Sequence, residues 1–258
     1  MTFLFDSVNI PIKREPMITE SRVLVIIPAY NEEKSIGMVI DKIQESIPKV
    51  DIVVVDDNSS DNTARIVQEK GIRVLSHSVN LGPGAATQTG YKYALEYPYD
   101  FVVQLDADGQ HEPRYINDLL SVLESDSADM VIGSRFLGIE GYKPSWIRKV
   151  GMKMFAVIVS LIIGQRITDS SSGFRALKRE LVEFFANVNY PSDYQDADVL
   201  MLAHFAGFRI KEVPVVMQEN LSGKCLLIGY GFLYYGFKML LSIIVTLLRE
   251  KSTRERRE

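Results

Sequence analysis

The chain has a single cysteine, Cys225, and three widely separated histidines, His77, His111 and His204. One thiol excludes an internal disulfide and a multi-cysteine zinc site, and scattered imidazoles make a histidine-rich metal cluster improbable. Any bound metal therefore falls to carboxylates. Basic charge is not in excess either: 29 Lys and Arg against 33 Asp and Glu give a formal net charge of −4. A general nucleic-acid binder needs a basic field, so that class is excluded. The opening MTFLFDSVNIPIKREPMITE lacks a basic start followed by an apolar run, and it does not read as a signal peptide. No G-x-G-x-x-G follows the first apolar run, which argues against a dinucleotide-dependent oxidoreductase. PAYNEEKS stands where a nucleotidyltransferase would carry a glycine-rich basic loop.

What is present reads as an ordinary globular domain, 47% hydrophobic and 24% charged over 258 residues, long enough for one substantial core. Short β-branched runs (RVLVIIPAY, DIVVVDD, IRVLSH, FVVQLDAD, ADMVIGSRF) alternate with helix-like segments. Ile36, Val39, Ile40 and Ile43 have helical spacing. Strands that are apolar throughout, alternating with helices, predict an α/β fold with a mostly parallel sheet covered on both faces. Polar residues then gather at the strand ends: Asn31 and Glu32, Asp56 and Asp57, Asn80, and Asp106 and Asp108. In an open α/β sheet the ligand crevice lies outside the carboxyl ends of the strands. One acidic end is a helix cap; four in succession point to a shared site.

The stretch QLDADGQH carries two aspartates one residue apart. Fixed close together, their charges repel unless a cation lies between them. Mg²⁺ or Mn²⁺, held by one or two carboxylates plus substrate phosphates, would remove that repulsion. A turn at Ala107 brings both side chains to the crevice. The alternative is a solvated turn in which Asp caps the helix after Pro113.

IIPAYNEE, VVVDDNSSDNT, NLGPGAATQTGY, QLDADGQHEP, VIGSRF, TDSSSGFRAL and FAGFRIKEVPV occur in that order between Val23 and Met217. Together they resemble the family 2 glycosyltransferases of the GT-A fold, and among them the polyprenyl- or dolichol-phosphate sugar transferases. The resemblance implies a Rossmann-like catalytic domain, a nucleotide-sugar donor, a divalent metal and inversion at the sugar carbon. It places Pro28, Tyr30, Asn31 and Glu32 in a loop touching the nucleoside, and Asp57, with Asp56 beside it, against the donor base. Asn80, Gly82 and Gly84 become a tight loop where backbone approaches a ligand closely. Asp106 and Asp108 match the metal pair, Ala107 lies between them at the donor, and His111 is a further metal-site residue. Arg135, Arg148 and Arg175 are implied to hold an acceptor phosphate. Asp196 and Asp198 match an acidic pair whose first member is a general base in enzymes acting on sugar hydroxyls.

Three readings follow. The first is transfer of a sugar to polyprenyl phosphate or a related lipid-linked acceptor, with Asp108, Arg135, Asp196 and Asp198 as the catalytic set. The second is transfer to a hydroxyl of a growing polysaccharide, with Asp196 as base. A non-catalytic nucleotide-sugar-binding protein is the third, opposed by the intact acidic pairs. The chain divides into an N-terminal extension (1–20), a catalytic domain (21–220) and an apolar helix with a charged tail (221–258). Residues 229–248 are long enough to span a bilayer, but Lys238 near their middle favours a helix lying at the interface with its ammonium snorkelling. Residues 148–164 read as a second such helix. The expected location is the cytoplasmic face of the cell membrane, peripheral or held by one helix. The alternative is that both are core or dimer-interface helices, the second case making the protein a homo-oligomer.

Overall fold

The computed structural model describes residues 22–137, 146–193, 195–218 and 230–255. The expectations for residues 1–20, for Cys225 and for the side chain of Arg148 lie outside the described residues.

Strand β1 (Val23–Ala29) is buried from both sides, and its side chains alternate between two cores. Leu24 and Ile26 enter one, Val25 and Ile27 the other, as the two-residue period of a strand requires. Helix α1 (Ile36–Ser46) buries the four residues whose spacing predicted it. The remaining elements of the first half are β2 (Asp51–Asp56), α2 (Thr63–Glu69), β3 (Arg73–Ser76), α3 (Pro83–Leu95) and β4 (Phe101–Gln104). They are followed by α4 (Ile116–Glu124) and β5 (Met130–Ser134). Strands β1, β2, β3 and β4 pair in parallel.

The second half departs from simple alternation. After α5 (Trp146–Ile163), strand β6 (Arg175–Lys178) enters antiparallel between β4 and β5, giving the order β3-β2-β1-β4-β6-β5-β7. Helices α6 (Arg179–Asn187) and α7 (Ala197–Phe205), strand β7 (Ile210–Pro214) and helix α8 (Tyr230–Glu255) complete the fold. β7 is parallel to β5. The sheet is thus mostly parallel and flanked by helices, as expected.

No described helix is long and apolar enough to cross a membrane. Helix α8 instead buries Met239, Ile243 and Thr246, and α7 is its packing partner. It leaves Phe237, Leu240, Leu241, Ile244 and Leu248 exposed. Helix α5 likewise buries Phe155, Val159 and Ile163 while exposing Val150, Met154, Val157 and Leu161.

Helix α3 lies close against β1, and Gly90 is the point of contact. A Cβ there would lie 2.4 Å from Cγ2 of Ile26. Gly90→Ala would gain about 1 kcal/mol of helix propensity, but overpacking a filled core costs about 1–3 kcal/mol. Packing should win. Gly90→Ala is expected to lower the denaturant midpoint, and Gly90→Val to lower it further. An unchanged or raised midpoint for Gly90→Ala would show that Ile26 moves aside freely.

Candidate active site

Strands β1, β2 and β4 end on the same edge of the sheet, and the residues beyond them form a crevice. After β1 the chain turns at Asn31, whose φ of +56° falls in the left-handed region that asparagine tolerates. Its Oδ1 accepts the Ser60 N–H at 2.7 Å, while the Glu32 N–H donates to Thr63 Oγ1 at 2.7 Å. The Glu32 carboxylate accepts from Ser35 at 2.7 Å. The segment expected to touch a nucleoside is therefore stitched to the β2–α2 loop. Pro28 sits within β1 opposite Val55, and Tyr30 is exposed at the rim.

Asp56 and Asp57 are both buried at the end of β2. Asp57 accepts from the Leu81 N–H at 2.9 Å and the Gly82 N–H at 2.8 Å. Its Oδ1 also lies 2.7 Å from His77 Nδ1, and His77 Nε2 reaches Thr89 at 2.9 Å. Asp57 is thus an anchor for the loop before α3. The role of His77 was not foreseen, because nothing in IRVLSH marks it. What approaches the backbone of Gly82 and Gly84 in this structure is the chain's own segment 191–192. A Cβ on Gly84 would lie 1.8 Å from the Pro191 carbonyl oxygen, and one on Gly82 2.5 Å from that of Ser192. The N–H groups of Gly84 and Ala85 donate to the Ser192 carbonyl at 2.9 and 3.3 Å. Gly82, at φ +95°, makes the turn possible. Asn80 is exposed and donates to the Asp57 carbonyl at 3.3 Å.

Past β4 the chain turns through Leu105 and the buried Ala107, setting Asp106 and Asp108 on the crevice floor, both part-exposed. Space for the Asp106 carboxylate exists because residue 173 has no side chain; a Cβ there would lie 2.7 Å from Oδ2. Burial, with the negative charge of Asp106 adding to it, pushes Asp108 up to about 6. Two hard carboxylates of raised basicity fit a hard divalent cation. Among the described residues no group of three or more His, Cys, Asp or Glu side chains is placed to hold a metal, so other ligands would complete the shell.

His111 does not fit as a metal ligand. Its Nδ1 accepts the backbone N–H of Asp106 at 3.0 Å, and burial lowers its pKa to about 4, so the ring is neutral. A neutral imidazole has one acceptor nitrogen. Here that acceptor is spent, and Nε2 carries the proton 3.7 Å from the Asp106 carboxylate.

Arg135, just past β5, is gripped by Asp169, which sequence reasoning missed. Its Nε and Nη2 donate to the two Asp169 oxygens at 2.7 Å each, and Nη2 also reaches Ser171 at 2.8 Å. Burial pushes the Asp169 carboxyl up, but the guanidinium overrides it and the net shift is downward. Glu212 on β7 braces this pair by accepting the N–H groups of Thr168 and Asp169. Arg175 is corrected as an acceptor-phosphate residue. It is 0% exposed, paired across the sheet with Gln104, and none of its three guanidinium nitrogens has a hydrogen-bond partner. It lies beneath the crevice, not in its wall.

A groove of about 700 Å³ opens beside Arg135, lined by Phe136, Lys153, Ala156, Val157, Leu161 and Arg166 among others. Val157 (57% exposed) and Leu161 (78%) carry its apolar wall to the surface of α5. On the other side, Asp196 is part-exposed ahead of α7, whereas Asp198 is buried and accepts hydrogen bonds from the Val199 N–H and from Ser242 of α8.

The model of glycosyl transferase family 2 matches residues 24–185. The chain belongs to this family. It is a glycosyltransferase, related to polyprenyl-phosphate sugar transferases. A polyprenol monophosphomannose synthase of Mycolicibacterium smegmatis is 32% identical, over 77% of this chain and 78% of that one. A UDP-N-acetylglucosamine–dolichyl-phosphate N-acetylglucosaminyltransferase of Methanococcus voltae is also 32% identical, over 77% and 86%. The same fold occurs in glucosyl-3-phosphoglycerate synthase of Mycobacterium tuberculosis, crystallised with Mn²⁺, UDP and phosphoglyceric acid. The match has a TM-score of 0.69 at 19% identity, over 88% of this chain and 78% of that one.

The buried charge of Asp198 has a measurable consequence. Burial raises its pKa from 3.8 to about 6, so the unfolded chain gives up this proton at lower pH than the fold does. Stability from this group is complete below pH 4, falls as pH rises to 6, and stays reduced above. Asparagine keeps the Val199 bond through its Oδ1 and can donate from Nδ2 to a rotated Ser242 hydroxyl, without the charge. Asp198→Asn is therefore expected to melt several degrees above the parent at pH 7.5, with the gap closing at pH 4. A pH-independent difference in melting temperature would rule out the buried charge as its cause.

Proposed function

We propose that the enzyme moves a sugar from a nucleotide-sugar donor to polyprenyl phosphate or a related lipid phosphate, with inversion at the sugar carbon. The observation that carries this reading is the groove beside Arg135. Lys153 and Arg166 suit an anionic head, and the apolar wall of Ala156, Val157 and Leu161 suits a hydrocarbon chain. The two relatives described above differ in sugar but share a lipid-phosphate acceptor by name. That supports the acceptor class and leaves the sugar open.

Asp106 and Asp108 would hold Mg²⁺ or Mn²⁺, donor phosphates and water filling its other positions. When bound, the ion supplies Lewis-acid stabilisation of charge on the leaving nucleoside diphosphate. The loops around Asn31, Asp56 and Asp57 would receive the nucleoside. Lys153 and Arg166 would present positive charge at the acceptor end, next to Arg135, whose guanidinium is held in place by Asp169. An ionised phosphate needs no general base, so Asp196 and Asp198 are dispensable as bases in this reading; a hydroxyl acceptor would need one. The exposed faces of α5 and α8 are proposed to rest on the membrane surface that holds the acceptor.

Purified protein with Mn²⁺, polyprenyl phosphate and a panel of UDP-, GDP- and dTDP-sugars should give a sugar-phosphate lipid from one donor, detected by mass spectrometry. Asp108→Asn is expected to lower turnover by about 10²-fold or more, the loss of several kcal/mol of charge stabilisation. It should also abolish the tightening of nucleoside diphosphate binding by Mn²⁺. Metal-dependent nucleotide binding without any lipid product would sink the phosphate acceptor and move attention to a hydroxyl and Asp196.

A further inference from the structure

Lys238 was expected to snorkel towards a membrane surface. Its ammonium instead pairs with Asp193, both side chains being part-exposed, at 34% and 51%. Ser242, one turn further along the same face of α8, donates to Asp198. Helix α8 therefore grips the segment before and within the start of α7 at two points, beside its buried seam of Met239 and Ile243. That segment bears directly on the crevice. Ser192, next to Asp193, accepts the N–H groups of Gly84 and Ala85. Gly82 in turn donates to Asp57.

We propose that Lys238 is a positioning residue for the nucleotide end of the crevice: by holding Asp193 it seats the Ser192 carbonyl on Gly84 and Ala85, and so sets the loop that Asp57 anchors. The effect on the donor rests on the proposed nucleotide-sugar function. The physical reason is leverage. Ser192 is exposed, so without the Asp193 tether its carbonyl competes with water for the two N–H groups. No Cβ intervenes at Gly82 or Gly84, so the contact is backbone on backbone and passes any shift on. A single partly exposed ion pair has a small effect on global stability, so its removal should be felt in the loop more than in the fold.

The test compares Lys238→Met, Asp193→Asn, the exchanged pair Lys238→Asp with Asp193→Lys, and the conservative Lys238→Arg, with two readouts. Amide hydrogen exchange across residues 82–86 should quicken in both single variants and return towards the parent rate in Lys238→Arg and in the exchanged pair. The dissociation constants of UDP and GDP in Mn²⁺ should rise about threefold for the nucleotide that binds, with the same pattern of rescue. Unchanged exchange in the single variants overturns the proposal. Quickened exchange with unchanged nucleotide affinity overturns the positioning role while leaving the donor reading intact. Failure of the parent to bind either nucleotide counts against the donor reading and removes the functional half of the inference, and the exchange data still decide the coupling.

Discussion

Negative charge at the carboxyl edge of the sheet is the constraint on which the site depends. The strand ends and loops there carry Asp56, Asp57, Asp106, Asp108 and Asp169, and a buried or half-buried carboxylate must be neutralised or hydrogen-bonded. Asp57 is satisfied by two backbone N–H groups and His77, and Asp169 by Arg135. At Asp106 and Asp108 the balance is different. The nearby histidine is neutral and Asp108 is pushed towards its protonated form. The fold thus spends a cation and amides on Asp57 and Asp169, whereas Asp108, which accepts the Gln110 N–H at 3.0 Å, still stands beside a second carboxylate where a ligand would approach. This distribution therefore says more about function than the acidity alone does.

The same edge carries a second cost. Arg175 is completely buried, and its guanidinium lacks hydrogen-bond partners, as does Nε2 of Gln104 facing it across β4 and β6. Burying an unpaired charge is among the more expensive things a fold does. Its field opposes the effect of burial on both Asp106 and Asp198. A purely structural core would place an apolar side chain here. At Asp106 this positive charge fits a site in which a carboxylate has to persist ionised despite burial.

Much of the architecture is legible because β1, β2 and β4 are centred on unbroken apolar runs (VLVII, IVVV and FVV), a pattern that burial on both faces explains. Strands β6 and β7 are not, since RALK and IKEVP mix charges with apolar residues and look like loop or helix ends. Antiparallel insertion of β6 follows from the long excursion through α5, which no local pattern encodes. At the site, residue type and spacing located the acidic pairs but not the partners of each group. Asp169 lies 34 positions from Arg135, and His111 differs from a ligand only in which nitrogen accepts a hydrogen bond. Gly82 and Gly84 mark a close approach of backbone, but the sequence does not say what approaches. Pairings across long separations are set by the fold, and a one-dimensional reading cannot supply them.

The acceptor question turns on where charge is already spent. Asp198 is held by Ser242 and the Val199 N–H, and burial favours its protonated form. A carboxylic acid near pH 6 with both oxygens engaged is a poor choice to take a proton from a sugar hydroxyl, which leaves Asp196 to do so alone. The basic and apolar groove beside Arg135 has no such conflict. It supplies charge of the sign a phosphate needs and a wall of the polarity a hydrocarbon chain needs, on a helix whose outer face is itself apolar. An ionised acceptor also explains how Asp198 can be committed to holding α8 without loss to the chemistry. On this argument Asp198 belongs to the architecture that seats the C-terminal helix, and the reacting groups lie between the β4 carboxylates and Arg135.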